Sequence, residues 1–396
     1  MPENNHHREP MAKVVILQSL SKLYRRPLFL KMHDNLSKHG IDLKVVYSKP
    51  PFREEMRHDN TPLPPDMSIE SGYWLWGDRV LFQPCFREIW EADLVIFEPA
   101  LKYILNPLFI TLSALRIKLF ASWVHGGNLR YPKSKLGFLL RKSYALLPGW
   151  RFAYTSGVAS LLTQLGSDPA TISVLQNAID VTQFRNDLEK TGMDEVQDLR
   201  RSLNISSTDQ VVLFCGSLYP TKEVGFSILA CDQARNTIPG LHLIVIGAGP
   251  DEEIVIEAAK TRPWLHFQSA VHGAARAAYF KASDIAIMPY LTGLGIVDAM
   301  TAGLPYLVTN ERRTNPEIDY LQDGVTGVIT PNRLDLFAEA ISSLLLDGER
   351  RQNMSRAARA ASNEISIENM AMRFEQGIID CLKAHKKLCP DCLSTS

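Results

Sequence analysis

Four short segments in the second half of the chain carry residue types that could hold a diphosphate and a ribose. The first is Gly216-Ser-Leu-Tyr-Pro-Thr-Lys222. A glycine where a strand ends lets a ligand approach the backbone, and a lysine six residues on can reach a phosphate at the start of the next helix. The second, Ile246-Gly-Ala-Gly-Pro250, gives close backbone access at Gly247, although Gly-Pro pairs also simply end strands. The third is the most specific: Met288-Pro-Tyr-Leu-Thr-Gly-Leu-Gly-Ile-Val-Asp-Ala-Met-Thr-Ala-Gly-Leu-Pro305 reads as strand, Gly-rich loop, short helix and next strand. The amides of Gly293, Leu294 and Gly295 at a helix N-terminus form a diphosphate site, and Asp298 just inside that helix can accept hydrogen bonds from vicinal ribose hydroxyls. The fourth, Thr314-Asn-Pro-Glu-Ile-Asp-Tyr-Leu-Gln-Asp-Gly-Val-Thr-Gly327, sets Glu317 at the start of a short helix aimed at the same loop.

In the first half, His125 ends a strand in Trp123-Val-His-Gly-Gly-Asn128. It reads either as a loop histidine with a structural contact or as a group that orients a hydroxyl and shares proton traffic. His266 and His272 read as structural. The tail, Cys381-x3-His385-x3-Cys389-Pro-Asp-Cys392, has zinc-type ligands. A lone cluster at a chain end reads as an exposed tail, so no metal site is expected.

Two α/β series must position these residues. Strands are expected at Lys13–Gln18, Leu43–Tyr47, Asp93–Phe97, Lys118–Val124 and Phe152–Thr155, then at Val211–Cys215, Leu241–Ile246, Leu265–Phe267, Ile285–Met288 and Tyr306–Thr309. Each is followed by helical pattern or by Gly or Pro. Residues 49–72 read as a Pro-rich excursion outside the core. The expected architecture is two Rossmann-like doubly wound domains facing a central cleft. The expected domains are an acceptor-binding one over 11–190 and a nucleotide-sugar-binding one over 205–365, followed by a helix over 366–388; 1–10 is a disordered lead and 389–396 a tail.

With these motifs assembled, the sequence resembles the family 4 glycosyltransferases, retaining enzymes of GT-B fold. The resemblance is strong over about 205–330 and weaker over 13–48 and 118–184, where Asn177-Ala-Ile-Asp180-Val-Thr-Gln-Phe184 is similar to the family's domain junction. It implies that Gly216 and Lys222 bind the donor diphosphate, with Ser217 standing where Arg is usual. Asp298 takes the place of the second Glu of the family's E-x7-E motif, the ribose ligand, while the first Glu falls on Tyr290. Glu317 is then the candidate carboxylate near the donor sugar, backbone near Val271 contacts the base, and His125 points at the sugar. The resemblance also implies front-face attack, with the leaving diphosphate helping to deprotonate the acceptor. The chain contains no Asp-x-Asp, which disfavours a metal-dependent GT-A enzyme. No cofactor or metal is expected beyond a nucleotide-sugar donor, UDP-linked in preference to GDP-linked. A catalytically idle binding or scaffold protein and a nucleotide-sugar epimerase are the alternatives. An ordinary NAD-binding protein is disfavoured because no G-x-G-x-x-G follows the first strand.

Charge adds a partner. Residues 1–184 hold 22 Lys and Arg against 16 Asp and Glu, and no acid lies between Glu98 and Asp168. Nine bases fall there: Lys102, Arg116, Lys118, Arg130, Lys133, Lys135, Arg141, Lys142 and Arg151. Interleaved with Leu, Phe, Tyr and Trp, they read either as a solvated basic face or as an amphipathic segment, within 99–167, lying on an anionic membrane. The acceptor is expected to be lipid-linked or a surface glycan, met by Arg25 and Arg26; no nucleic-acid partner is expected. The apolar stretch Tyr103–Leu115 is too short to span a bilayer, which needs about 20 residues. With six scattered cysteines, it points to a cytoplasmic protein, peripheral on the inner face of the cell membrane.

Overall fold

The segment Gln210–Cys215, with Val211 to Phe214 fully buried, is apolar without alternation because helices cover both faces of its sheet. The same logic builds most of the chain, seen in a computed structural model that describes residues 11–51, 60–132, 134–271, 273–311 and 315–386. The expected lead and tail, with Lys133, His272, Thr314, Cys389 and Cys392, lie outside the described residues. The chain divides into two units: one runs to Asn177 and resumes at Ile367, the other is Ala178–Ser366.

In the first unit the strands are β1 (Ala12–Leu17), β2 (Ile41–Tyr47), β3 (Ser68–Glu70), β4 (Tyr73–Leu75), β5 (Val80–Phe82), β6 (Leu94–Phe97), β7 (Phe120–Val124), β8 (Trp150–Ala153) and β9 (Ile172–Val174). Seven form a parallel sheet in the order β3-β2-β1-β6-β7-β8-β9, and β4 and β5 form a separate hairpin. On one side of the sheet Phe97, Phe109 and Phe120 pack with ring centroids 5.0 to 6.1 Å apart. The second unit holds β10 (Gln210–Cys215), β11 (Leu241–Ile246), β12 (Leu265–Gln268), β13 (Ile285–Ile287), β14 (Tyr306–Thr309) and β15 (Gly327–Thr330), all parallel, in the order β12-β11-β10-β13-β14-β15.

Three expectations change. The excursion at 49–72 returns to the sheet, because β3 pairs with β2 through Val45 and Ser68. The boundary expected at 190 falls after Asn177, because Phe184 on the helix Thr182–Lys190 packs edge-on against Phe280 of the second unit, 5.0 Å between centroids. The terminal helix Ile367–Ala384 belongs to the first unit. Its Phe374 stacks on Phe152 at 4.5 Å and meets Trp123 at 5.0 Å, and Glu375 bonds His39 at 3.0 Å. Gly377 lies so close to Ser173 and Phe152 that no side chain fits there.

The basic stretch is partly spent on structure. Lys118 donates to the Trp90 and Ala92 carbonyls, and Arg151, buried, donates to Thr171 and the Leu146 carbonyl. The helix Lys135–Leu146, capped by Ser134, instead leaves Leu136 70% and Leu139 58% exposed beside Lys135, Arg141 and Lys142. Among the described residues no helix is long and apolar enough to cross a membrane.

Candidate functional site

The strand order of the second unit reverses between β10 and β13, and ligands of doubly wound sheets sit at the carboxyl ends of two such strands. The Gly216–Lys222 loop leaves β10, and the Met288–Leu294 loop leaves β13. Lys222 joins them: its ammonium donates to the Leu291 carbonyl and, at 3.3 Å, to that of Thr292. Gly293 has φ +58°, and a Cβ there would stand 3.7 Å from Lys222 Nζ and 3.6 Å from Asn315 Nδ2. The left-handed turn and the lack of a side chain hold the loop open just before the helix Gly295–Ala302 begins. Thr292, 2% exposed, has a hydroxyl with no hydrogen-bond partner among the described residues.

Burial pulls the Lys222 ammonium down to about 8, and the negative charge of Glu317 works against that fall. Glu317 is 4% exposed in the short helix Pro316–Tyr320. Lys222, Gly293, Glu317 and Asn315 therefore converge; the sequence reading had omitted Asn315, which lies beside the Pro that starts the turn.

Asp298 is 9% exposed and forms an ion pair with Arg276 through Oδ2. Its Oδ1 has no hydrogen-bond partner among the described residues. Desolvation raises the Asp298 carboxyl above the ordinary aspartate range, and the guanidinium opposes that rise. Arg276, on the helix Gly273–Lys281, is itself held over the rings of Phe184 and Phe280, at 4.4 and 5.2 Å from their centroids. Sequence reading missed Arg276. Its signal was a base in the middle of a helix otherwise of small and aromatic residues up to its final lysine, Gly-Ala-Ala-Arg-Ala-Ala-Tyr-Phe-Lys.

Other expected donor residues are placed differently. Gly247 is explained without a ligand: the Gly216 carbonyl crosses where its side chain would be, and Leu218 N–H bonds the Ala248 carbonyl at 2.9 Å. Ser217 is exposed, and Val271 is half-buried between β12 and the Arg276 helix. Tyr290 turns its ring edge to Phe226, 5.7 Å away, and its hydroxyl donates to Asn332 at 2.8 Å; Asn332 in turn donates to Glu311 at 2.8 Å.

His125 belongs to the first unit. Its Nδ1 accepts from Gly127 N–H at 3.4 Å, which leaves the proton of the neutral ring on Nε2, and the ring stands edge-on to Tyr154 at 5.0 Å. Arg25 corrects an expectation. It is 3% exposed, with its guanidinium 4.8 Å from the Trp123 ring and bonded to the Tyr154 hydroxyl at 2.9 Å, so it does not present its charge to an acceptor on a surface. Trp123 and Tyr154 gather it into the interior; Arg26, next to it, is half-buried. His266 is paired with His242, nitrogens 2.9 Å apart, and burial lowers it to about 4.

Comparison with known proteins matches residues 195–361 to the family glycosyl transferases group 1. A glycogen synthase of Mycobacterium tuberculosis (strain CDC 1551 / Oshkosh) is 26% identical over 262 residues, 64% of this chain and 58% of that protein. A D-inositol 3-phosphate glycosyltransferase of Mycobacterium bovis (strain BCG / Pasteur 1173P2) is 28% identical over 225 residues, 52% of this chain and 42% of that protein. The chain thus spans about half the length of the curated relatives it matches. Among solved structures, Anabaena HepE in complex with UDP superposes with a TM-score of 0.67 at 17% identity, over 93% of this chain and 99% of that one. The fold is the two-domain GT-B fold, with a Rossmann-like sheet in each unit.

Proposed function

We propose, from a chain that carries a glycosyl transferases group 1 domain, that the protein is a retaining glycosyltransferase of the family 4 kind. It moves a sugar from a UDP-linked donor to a lipid-linked or surface-glycan acceptor. The observation that carries this is the junction of Lys222, the Gly293 loop and the half-paired Asp298 at the β10–β13 switch point. HepE, the structural relative, was crystallised with UDP, which supports the uracil nucleotide over the guanine one.

In this reading Asp298 Oδ1 accepts from a ribose hydroxyl, and the Gly293–Gly295 amides and Lys222 hold the diphosphate. Bond breaking at the anomeric carbon leaves charge on the diphosphate, where a buried ammonium and fixed amides stabilise it most. The acceptor oxygen bonds to that carbon on the face the diphosphate leaves, and its proton passes to a departing phosphate oxygen. No covalent enzyme nucleophile and no metal is used. Glu317 lies close enough to Lys222 for its charge to be felt there, which suits it to hold sugar hydroxyls. His125 is assigned the same task on the family resemblance.

A binding protein without turnover is the second reading, favoured by Tyr290, whose hydroxyl is committed to Asn332 where a carboxylate would serve the sugar. Release of nucleoside diphosphate from UDP-glucose, with GDP-mannose as the comparison, separates these readings. Faster release from the UDP-sugar is expected; equal release overturns the base preference, and none from either favours the binding protein.

The protein also docks, in this reading, on the inner face of an anionic membrane. Exposed Leu136 and Leu139 lie beside Lys135, Arg141 and Lys142 in a stretch without acids, which joins apolar insertion to attraction for anionic lipid. Flotation with phosphatidylglycerol vesicles is expected to carry the protein up and to weaken with salt. Equal flotation with phosphatidylcholine alone, or none with either, contradicts docking by charge.

A further inference from the structure

The second unit contains a cavity of about 350 Å³ whose lining is uneven in charge. Three cations border it, Arg185, Lys281 and Arg359, against one acid, Glu189. Arg185 lies on the helix Thr182–Lys190, Lys281 ends the helix Gly273–Lys281, and Arg359 lies on the helix Gly348–Ser362. Thr301 and Ala302, the end of the helix Gly295–Ala302, form another part of the wall. Lys281 and Arg359 are exposed and Arg185 is half-buried, so the cavity opens to solvent.

Each cation is held by a carbonyl at a helix end. Arg185 donates to Ser362 at 3.1 Å, Lys281 to Leu188 at 3.1 Å and Thr191 at 2.7 Å, and Arg359 to Ala302 at 3.0 Å from Nη2 and 3.3 Å from Nε. Arg359 lies across Gly303, which has φ +76° and leaves the space that the guanidinium fills. Capping of this kind explains how the side chains are held, but a carbonyl accepts a hydrogen bond without neutralising the charge. A guanidinium has five N–H groups, of which Arg359 spends two here and Arg185 one. Among the described residues none of the three cations, and not Glu189, forms an ion pair. Like charges gathered around one cavity repel each other, and an anion inside it removes that cost.

We propose that this cavity binds the phosphate group of a small soluble metabolite, and that its occupant slows release of the donor nucleotide. The volume lies at the lower end of small-molecule sites, about 300–1,000 Å³, which leaves room for a compact body beyond the phosphate. Guanidinium forks match phosphate oxygens in pairs, and the lysine adds a point charge. Gly295, at the diphosphate end of its helix, and Ala302, at the cavity, are about 10 Å apart along the axis, so the two ligands do not compete. The helices are nevertheless shared. Phe184 adjoins Arg185, Arg276 lies on the helix that Lys281 ends, and Asp298 lies on the helix that ends at Ala302. An anion that draws the three cations together fixes these helix ends, and a pocket held in place gives up its ligand more slowly. The effect on release rests on the reading of Asp298 as the ribose contact; the anion site does not.

Calorimetric titration of inorganic pyrophosphate into the full chain saturated with UDP tests the site, because UDP blocks the donor diphosphate position. Binding of pyrophosphate beside UDP is expected. Its affinity should fall about tenfold in Lys281→Met, the worth of one charge-assisted hydrogen bond. It should rise about threefold in Glu189→Gln, which removes one exposed charge, and a gain of affinity cannot come from misfolding. No binding beside UDP, or wild-type affinity in either variant, overturns the site. Stopped-flow release of a fluorescent UDP analogue tests the coupling, since a mere competitor leaves that rate unchanged. Pyrophosphate is expected to slow release about fivefold in the wild type and not in Lys281→Met. Equal rates with and without pyrophosphate overturn the coupling. If the chain binds no UDP, the donor reading fails, while pyrophosphate binding with the same pattern in the two variants keeps the anion site.

Discussion

Replacing Lys222 by Met is expected to lower kcat/KM by about 10²- to 10³-fold, the usual loss when a preorganised charge facing a leaving group is removed. Two circumstances make the effect large. The ammonium is largely desolvated, so its attraction for a diphosphate is weakly screened. It also ties the Gly293 loop through the carbonyls of Leu291 and Thr292. UDP affinity should fall about 10- to 100-fold, the range of one to two charge-assisted hydrogen bonds, with UMP affected less because it lacks the second phosphate. Lys222→Arg should not restore activity, since a planar fork does not replace a compact charge seated against two carbonyls. A free-enzyme ammonium at about 8 also fixes the sign of the pH effect: UDP binding weakens as pH rises through that value, because the charge is lost. Kinetics with a UDP-sugar and calorimetric titration of UDP and UMP check this. Wild-type turnover in Lys222→Met would place the diphosphate elsewhere.

The second large effect is expected from Arg276→Leu. This change strips the partner from a carboxylate that is 9% exposed, and an unpaired buried charge costs about 3–5 kcal/mol, a large part of the usual 5–15 kcal/mol of a folded protein. Asp298, already raised by burial, escapes by taking up a proton, and a neutral acid is a poorer acceptor for ribose. A lower melting temperature and at least tenfold weaker UDP binding should follow together. The double variant Arg276→Leu with Asp298→Asn separates the two, since it buries no charge: stability should largely return while UDP affinity stays low. Restored affinity in the double variant would show that Asp298 does not hold the ribose and that Arg276 serves the fold alone.

These residues also show where sequence reading stops. Lys222, Gly293 and Glu317 were legible because each works within a few residues of a strand end, and a strand-end glycine or a Pro-started turn is a local signal. The Arg276–Asp298 pair was not, because its members come from two helices and a buried arginine looks like an exposed one until Phe184 and Phe280 enclose it. Arg25 misled for the same reason: in a polar run beside Arg26 it reads as a surface charge, yet Trp123 and Tyr154, from β7 and from just past β8, close over it. Two edge strands, β3 and β15, have only three and four residues, too few for a period to register. The amphipathic pattern of Ile367–Ala384 gave a helix but not its partner, since an apolar face does not say which sheet it will cover.

The central claim is transfer of a sugar with its anomeric configuration kept. Proton NMR of the full chain incubated with UDP-glucose, an α-linked donor, and methyl α-glycosides follows it directly through the anomeric signal of the first product formed. A new α-linked glycoside, appearing with UDP and absent in Lys222→Met, is the predicted result; a β-linked product, or UDP-glucose left intact beside the glycosides, would contradict it.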